Sequence, residues 1–290
     1  MKVCLVCYNP FYPKPGMLNS YNEVIESYAW GFAALGHEVK YRINCIDPES
    51  RNIVFGMAVP CQLGLIDTFP ADTIFFNMER HKHFDAAYLE RTWIYQVANK
   101  YQVWDYSQGN VEALNALNPR FPLHYTPLSY APTLEKLPRN LEQDVDVLYY
   151  GMLKMPFRSD TLREVGVVGP DFTGLSVMSL TNVWGKMRDE FIARSKVVLN
   201  ISVGEGDIFE IVRVSYLLAN RKAVVCVSPD GHDEVEDDLR ETLKFVTLEQ
   251  AHGVCQQLAD DATAREQYAS LGYETFRRRD IRDVITRYFT

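Results

Sequence analysis

The sequence of 290 residues has no apolar run that approaches the roughly 18 residues needed to span a membrane. Its opening stretch, MKVCLVCYNPFYP, combines one lysine with a short apolar run that Pro10 interrupts. Such a run is too short for the apolar region of a signal peptide and is typical of a first β-strand. We therefore expect a soluble, globular, cytoplasmic protein without a membrane span.

Cysteine is also scarce, with six residues scattered along the chain and several of them inside apolar stretches. This distribution is typical of reduced core thiols and not of a disulfide framework. Cys4 and Cys7 form a Cys-x-x-Cys pair, but side chains three positions apart on a strand point to opposite faces. The pair therefore does not predict a metal or redox site.

An excess of positive charge is missing as well. The chain has 30 lysine and arginine residues against 38 aspartate and glutamate residues, which gives a net charge of −8. Because phosphate contacts supply most of the affinity in non-specific nucleic-acid binding, this balance argues against nucleic acid as a partner. A small anionic ligand stays compatible with the sequence, since a local pocket can be positive on an acidic protein.

Short apolar stretches alternate with helical patterns along the chain, which is typical of parallel sheets with crossover helices. In the first half, strands are predicted at Lys2 to Tyr8, Glu38 to Asn44, Thr73 to Phe76, Tyr101 to Tyr106 and Leu123 to Thr126. In the second half, they are predicted at Val145 to Gly151, Ser195 to Val203 and Ala223 to Val227. The last forty residues predict two or three helices.

The segment SYNEVIESYAWGFAALGHEV predicts the first helix, because Val24, Tyr28 and Phe32 recur at helical spacing. Ser20 and Glu23 have the spacing of a capping box at its start. Gly36 stands where a glycine commonly ends a helix.

The segment from Thr126 to Asp144 carries three prolines and no periodicity, which predicts a linker between two domains. We expect an N-terminal Rossmann-like domain at residues 1–128, a linker at 129–143 and a C-terminal Rossmann-like domain at 144–275. The basic, amphipathic stretch at 276–290 predicts a final helix that crosses back to the first domain.

The stretch VVLNISVGEGDIFEIVRVSYLLANRKAVVCV predicts a strand, a glycine-containing acidic turn, a helix and a second strand. In doubly wound α/β domains, ligands bind outside the carboxyl ends of strands, and anions bind at helix N-termini. Gly204 and Gly206 would let a ligand approach the backbone closely. The spacing equally allows a purely structural capping box of Asp207 and Glu210, with Glu210 paired to Arg213.

Several segments carry a resemblance to a known family, among them WGFAALGHEV, VWDYSQGN, PLSYAP, DVLYYG and IARSKVVLNISVGEGDIFEIVRVSYLLANRKAVV. They resemble GT-B glycosyltransferases, and more narrowly a group of bacterial and viral glycosyltransferases, over most of the chain from about Ile74 onward. The resemblance implies an α/β fold of two Rossmann-like domains facing a cleft. It also implies a nucleotide-sugar donor as co-substrate, a carbohydrate-type acceptor, and no further cofactor or bound metal.

On this resemblance, the acidic turn belongs to the donor site. Glu210 would meet the donor ribose or sugar with Glu205 behind it, and Gly206, Asp207 and Arg213 complete the expected donor-binding set in this segment. The common pattern of retaining members has two acidic residues separated by seven others. Here the position eight after Glu205 is Arg213, and the ANRK turn lacks the glycine of that pattern.

The stretch YYGMLKMPFR adds Gly151, Lys154 and Arg158 to the expected donor site, because GT-B enzymes commonly place basic groups here. A departing nucleoside diphosphate gathers negative charge, which such groups stabilise. Arg158 is the preferred candidate, because its planar guanidinium suits phosphate oxygens. The structural alternative is a solvated loop.

The stretch FFNMERHKHF follows another predicted strand, and Glu79 there is the candidate general base for the acceptor hydroxyl. His81 and His83 resemble a metal-ligand pair, but the charges around them favour a solvated turn. No metal ligands are predicted.

VWDYSQGN ends a further strand, where Asp105 or Tyr106 would contact an acceptor. Asp105 therefore stands with Glu79 as a candidate catalytic residue. Ser107 has the position of a helix N-cap, and Trp104 that of a core residue.

The function expected from these observations is metal-independent transfer of a sugar from a nucleotide sugar to a glycan or polysaccharide-type acceptor. One alternative is a non-catalytic nucleotide- or sugar-binding protein of the same fold. Another is a phage-type glycosyltransferase that acts on modified DNA bases, which the acidic balance disfavours. The sequence leaves the donor, the acceptor and the stereochemistry open.

Overall fold

The computed structural model describes residues 1–8, 21–81, 84–138, 141–154, 156–166, 174–202, 208–228 and 235–289. The chain divides into two compact units, of which unit 1 comprises Met1–Thr133 and Asp280–Thr290 and unit 2 comprises Leu134–Arg279. Whether each unit folds as an independent domain, as the expected boundaries imply, stays a prediction.

Unit 1 is built on a parallel six-stranded sheet with the order β2-β1-β3-β4-β5-β6. Its strands are β1 (Lys2–Cys7), β2 (Glu38–Ile43), β3 (Arg51–Phe55), β4 (Ile74–Asn77), β5 (Gln102–Asp105) and β6 (His124–Tyr125). Its helices are α1 (Asn22–Ala34), α2 (Ala58–Gln62), α3 (Ala86–Leu89), α4 (Trp93–Ala98) and α5 (Gln108–Asn115), joined at the end of the chain by α12 (Ile281–Tyr288). The central strands are continuous apolar runs, as expected where helices cover both faces of a parallel sheet.

The last helix, α12, packs closely against α1 within unit 1. Gly31 of α1 allows this approach, because a Cβ atom at that position would lie 2.6 Å from Cδ1 of Ile285 and 2.9 Å from Cγ2 of Ile281. The ring of Phe289, just after α12, packs edge-on against Phe32 at 4.7 Å. The apolar face of the basic C-terminal stretch is thus buried on the first helix.

The ends of α1 match the sequence pattern only in part. The helix begins at Asn22 with Tyr21 at the N-cap position, and no side chain among the described residues caps it. The predicted capping box of Ser20 and Glu23 stays a prediction, because Ser20 lies outside the described residues. Gly36 has φ of +83° directly after the C-cap, so the predicted glycine stop is confirmed.

Unit 2 has a parallel five-stranded sheet with the order β11-β10-β9-β7-β8. Its strands are β7 (Val145–Tyr150), β8 (Val177–Leu180), β9 (Ser195–Ile201), β10 (Ala223–Val227) and β11 (Lys244–Val246). Its helices are α6 (Pro156–Val165), α7 (Gly185–Arg194), α8 (Ile211–Ala219), α9 (Asp237–Arg240), α10 (Leu248–Asp260) and α11 (Ala262–Arg277). The two parallel α/β sheets confirm the predicted fold class.

Three short strands, β3, β8 and β11, were not predicted from the sequence. β3 has only Ile53, Val54 and Phe55 as consecutive apolar residues, although it lies in the middle of its sheet. β8 and β11 are edge strands of four and three residues, whose side chains are mostly only partly buried. A stretch this short gives little periodicity to detect.

Along the described parts of the chain, no helix combines the length and the apolar character that crossing a membrane would demand.

Candidate functional site

In unit 2, the loops after β7 and β9 lie side by side, because these strands are parallel neighbours in the sheet. Arg158 of α6 joins the two loops. Its Nε donates to the Ile201 carbonyl at 3.1 Å, and its Nη1 donates to the Met152 carbonyl at 3.3 Å. The residue is only 3% exposed. The guanidinium therefore fastens the carboxyl ends of both strands to α6.

Glu210 lies at the N-cap position of α8 between two arginines. One carboxylate oxygen accepts a hydrogen bond from Nη2 of Arg158, and the other lies 3.1 Å from Nη2 of Arg213. The Glu210 side chain keeps 21% of its surface exposed, against 4% for Arg158 and 11% for Arg213. These three residues, the Arg158–Glu210–Arg213 cluster, hold one negative and two positive charges, with the carboxylate as the most accessible member.

Arg213 is held in place from several sides. Its Nη1 donates to Oδ1 of Asn200 at 2.9 Å, and its guanidinium lies over the rings of Tyr149 and Tyr150 at 5.7 and 5.4 Å. Burial by itself lowers the pKa of Arg213, but the Glu210 carboxylate and the tyrosines outweigh burial and raise that pKa above its usual value. Arg213 therefore stays charged.

Gly151, directly after β7, makes room for this arrangement. Its φ is +147°, which side-chain-bearing residues rarely adopt. A Cβ atom there would lie 2.9 Å from Nη2 of Arg213 and 2.9 Å from the Tyr149 hydroxyl. Glycine is thus required for both conformational and steric reasons.

The structure corrects the capping interpretation of the acidic turn. The helix begins at Ile211 with Glu210 as its N-cap residue, so the capping box with Asp207 as N-cap is wrong. The Glu210–Arg213 pair is confirmed at 3.1 Å. Glu205, Gly206 and Asp207 lie outside the described residues.

Lys154 differs from the arginines, because it is exposed in the loop between β7 and α6. Of the two basic residues that the sequence places in this loop and helix, the buried Arg158 shapes the site, while Lys154 is the one open to a ligand.

In unit 1, the carboxyl ends of β4 and β5 also form a polar cluster, but with amides in place of arginines. Asn77 and Asp105 are direct register partners at these strand ends, and the Asn77 amide donates to the Asp105 carboxylate at 2.6 Å. The Ser107 backbone N–H donates to the same carboxylate at 2.8 Å, and the Asn110 amide donates to both oxygens at 3.1 Å. Asn77, Asp105 and Asn110 are the amide–carboxylate cluster. Burial raises the pKa of Asp105 to about 7, although these hydrogen bonds oppose the rise.

The amide–carboxylate cluster holds the loop that carries Glu79. The Glu79 carbonyl accepts from the amides of Asn77 at 3.0 Å and Asn110 at 2.8 Å, and the Glu79 N–H donates to Asn77 at 3.1 Å. The Glu79 side chain is exposed, and its carboxylate accepts from the Tyr21 hydroxyl at 3.0 Å. Burial and the neighbouring Glu79 raise the pKa of Tyr21, so this hydroxyl stays a donor.

Asp105 itself is fully buried. Its position therefore favours a role in holding the Glu79 loop over direct contact with an acceptor, and Tyr106 is only 6% exposed. Ser107 caps α5 as predicted, accepting from the Asn110 N–H at 3.3 Å. Sequence reasoning missed Asn77 and Asn110; the available signal was an amide at a strand end and another three residues after the cap.

Of the two histidines that resemble a metal-ligand pair, the structure describes His81 but not His83. His81 is 5% exposed, and its ring packs edge-on against Trp93 at 5.3 Å. The backbone N–H of His81 donates to Oδ1 of Asn110 at 2.7 Å. His83 lies outside the described residues. Over the described ranges, no group of three or more histidine, cysteine, aspartate or glutamate side chains is arranged to hold a metal ion.

No protein-family model and no curated protein matches the sequence. The structure, by contrast, superimposes on solved structures over nearly its whole length. T4 phage BGT in complex with UDP-glucose is 14% identical with a TM-score of 0.61, covering 99% of both chains. AviGT4, a glycosyltransferase involved in avilamycin A biosynthesis, is 14% identical with a TM-score of 0.62, covering 99% of this chain and 96% of that one.

HepE of Anabaena, solved with UDP and glucose, is 12% identical with a TM-score of 0.62, covering 98% of this chain and 97% of that one. The chain has the GT-B fold. The fold implied by the sequence resemblance is thereby confirmed. The T4 phage protein has also been solved with UDP and Mn²⁺.

Proposed function

We propose that this GT-B protein is a glycosyltransferase that moves a sugar from a nucleotide-sugar donor to a carbohydrate-type acceptor in glycan biosynthesis in the cytoplasm. The observation that carries the proposal is the partly exposed Glu210 carboxylate held between Arg158 and Arg213 at the carboxyl edge of the unit 2 sheet. Ligands of doubly wound α/β sheets bind at this edge. Similar structures contain UDP-glucose or UDP and glucose, which supports a nucleotide-sugar donor.

The donor site follows from the charges of the cluster. The Glu210 carboxylate can accept hydrogen bonds from a donor hydroxyl, and the two arginines leave a positive surplus of one charge beside it. Exposed Lys154 adds a further positive charge in the loop between β7 and α6. Together with the N-terminus of α8, these groups would stabilise the charge that gathers on the departing nucleoside diphosphate. Glu205, Gly206 and Asp207 stay in the proposed set.

In unit 1, Glu79 is the proposed general base for the acceptor hydroxyl. Its exposed carboxylate is oriented by the Tyr21 hydroxyl, and its backbone is held by Asn77 and Asn110. Asp105 is a positioning residue that acts through these two amides. In this assignment, Asn77 and Asn110 hold the backbone of the loop, while the side chain of Glu79 stays accessible.

The deciding experiment measures release of nucleoside diphosphate from a panel of nucleotide sugars, first without an acceptor and then with oligosaccharide acceptors. We expect slow donor hydrolysis that acceptors accelerate. Glu210→Gln should reduce this activity, whereas the control Glu190→Gln should not. Glu190 is 61% exposed on α7, and its contact with Arg194, at 4.0 Å, is long for an ion pair. A protein that binds a nucleotide sugar but never releases the diphosphate would instead be a non-catalytic binding protein.

Metal independence is part of the proposal and is tested separately. The described residues offer no cluster of metal ligands, but residues 203–207 with Glu205 and Asp207 lie outside them, and a similar structure was solved with Mn²⁺. We expect activity to survive EDTA. Complete loss with EDTA that a divalent ion restores would contradict this part alone.

A second candidate is glycosylation of modified DNA bases. It is favoured by the similarity to a structure described as the DNA-modifying enzyme β-glucosyltransferase, at 13% identity and a TM-score of 0.58. The net charge of −8 weighs against it, because DNA binding relies on phosphate contacts. Transfer to duplex DNA with hydroxylated bases, and not to oligosaccharides, would establish this candidate in place of the first.

A further inference from the structure

A cavity of about 560 Å³ lies at the opposite, amino edge of the unit 2 sheet. It opens where β9 starts at Ser195 and where Lys222 leads into β10. β9 has seven residues, so the cavity is roughly 20 Å from the Glu210 end of the same strand. This site is therefore separate from the proposed donor site.

Among the described residues, two cations in the wall of the cavity make hydrogen bonds only to neutral groups. Lys222 is 5% exposed, and its ammonium donates to the Ser195 carbonyl. Half-buried Arg265 of α11 donates to the carbonyls of Leu258 at 2.7 Å and Ala259 at 3.1 Å. Within the described part of the chain, neither cation has a carboxylate at ion-pair distance.

Two of the carboxylates around the cavity are paired with other cations, although Asp146 also attracts Arg265 from beyond ion-pair distance. Lys196 on β9 is paired with Asp146 at 2.6 Å. Glu135 accepts from the Tyr273 hydroxyl at 2.7 Å and lies 3.7 Å from Arg221. With Glu266, the wall contains four basic and two acidic side chains, and when Asp146 is counted as the partner of Lys196 one positive charge is left in surplus.

We propose that this cavity binds a small oxyanion, either free phosphate or the phosphate group of a small metabolite, between Lys222 and Arg265. A buried cation without a counterion is costly, and an anion in the cavity would offset that cost. The volume exceeds that of a single oxyanion, and apolar side chains such as Leu137, Leu141 and Ala269 line the remainder. This proposal does not depend on the glycosyltransferase function.

The site should carry a pH signature. Burial and the nearby Arg265 lower the pKa of Lys222 to about 7. The groups that face it are Lys196 from β9, Arg221 beside it, Arg265 and Glu266 from α11, and Glu135 from the segment before β7. A bound anion favours the protonated amine, so binding takes up a proton above pH 7. Affinity for sulfate, which does not titrate near neutrality, should be level below pH 7 and fall above it by up to about tenfold per pH unit.

The experiment is a thermal-shift and calorimetric titration with sulfate, against chloride at equal ionic strength, on the full chain. We expect sulfate to stabilise the wild type, and affinity to fall about tenfold or more in Lys222→Met and in Arg265→Gln. Lys186→Met, which removes an exposed lysine from α7, is the matched control and should bind sulfate like the wild type. In Lys222→Met, the fall of affinity above pH 7 should also disappear.

If Lys222→Met fails to fold, Arg265→Gln and the wild-type pH profile still decide the question. Equal response to sulfate and chloride in the wild type, or sulfate binding that neither cavity substitution weakens, overturns the proposal. Inorganic phosphate and glycerol phosphate distinguish the two sources. Tighter binding of glycerol phosphate indicates a phosphorylated metabolite, and equal or weaker binding indicates free phosphate.

Discussion

The two sheets of this protein each place a carboxylate near their carboxyl edge, but they give it opposite surroundings. In unit 1, Asp105 is fully buried and its described side-chain partners are the neutral amides of Asn77 and Asn110. In unit 2, Glu210 is partly exposed and paired with Arg158 and Arg213. The partners decide what a carboxylate can do: neutral amides in a dry site build a rigid support, while two arginines leave charge available to a ligand.

The comparison also separates side chains that face a ligand from those that hold them. The exposed Glu79 is held by the buried amides of Asn77 and Asn110, which also bind Asp105. The partly exposed Glu210 is held by the buried Arg158. Residue type alone does not distinguish these roles. The sequence led us to expect the buried Asp105 and Arg158 at a ligand, just as it did the more exposed Glu79 and Glu210.

Removing Arg158, the most buried member of the Arg158–Glu210–Arg213 cluster, should have the largest effect. Arg158→Ala leaves Glu210 with one arginine and frees the Ile201 and Met152 carbonyls, so we expect the free energy of unfolding to fall by about 3 to 5 kcal/mol. Urea denaturation measures the loss, and turnover and nucleoside diphosphate affinity should fall with it.

Arg163→Ala on the same helix is the control, because Arg163 is 60% exposed and, among the described residues, forms an ion pair with Asp160 alone. Its loss should stay within about 0.5 kcal/mol. A stable Arg158→Ala protein would mean that the arginine does not support the carboxyl edge.

Neutralising the carboxylate of unit 2 tests its ligand role. Glu210→Gln should weaken donor binding by about 1 to 3 kcal/mol, because a charged acceptor for a donor hydroxyl is lost. It should also reduce stability, since two arginines then lack their counterion. Calorimetry with the active nucleotide sugar measures the first effect, and urea denaturation measures the second. Lower stability with unchanged donor affinity would reduce the cluster to a structural feature.

The glycine beside the cluster gives a smaller effect. Gly151→Ala should cost about 1 to 2 kcal/mol in unfolding free energy, because an alanine strains a φ of +147° and its Cβ approaches Arg213. Gly253→Ala in α10 is the contrasting variant, since open space surrounds that position and alanine favours helix. It should stabilise by about 0.5 to 1 kcal/mol. Equal responses of the two variants would contradict the packing argument.

The smallest expected effect is on the pH dependence of stability, to which Asp105 of unit 1 and Lys222 of unit 2 contribute in opposite directions. The pKa of Asp105 is raised to about 7 in the folded state, so the unfolded chain loses this proton first and the contribution of Asp105 falls as pH rises from about 4 to 7. The pKa of Lys222 is lowered to about 7 in the folded state, so burying its charged form costs stability at low pH. This cost becomes smaller as pH rises from about 7 towards the ordinary pKa of lysine, because the folded chain loses this proton first.

Asp105→Asn should therefore flatten the stability profile below pH 7, and Lys222→Met should flatten it above pH 7. Each change in slope is at most about 1.4 kcal/mol per pH unit. Urea unfolding from pH 4.5 to pH 9 measures both, and a profile that neither substitution alters would mean that these groups titrate normally.

Part of the candidate site could be predicted because strand ends are visible in a sequence. Apolar runs that stop at Asn77, Asp105, Tyr150 and Ile201 place the following residues at the carboxyl edges of parallel sheets. Glu79 was proposed in this way, and the resemblance to GT-B enzymes added Lys154 and Glu210. Asn77 and Asn110 were not proposed, because an amide has no chemistry that marks it until its partner is known.

Local pattern by itself determined the alternation of strands and helices, the glycine stop at Gly36 and the cap at Ser107, since each depends on neighbours within a few residues. The tertiary structure decided the rest. Arg158 meets Glu210 across 52 residues, and Asn77 meets Asp105 across 28, because β9 pairs with β7 and β5 with β4. The partner of a charge depends on the order of strands in the sheet, and that order is set by packing of the whole core, which no short segment contains.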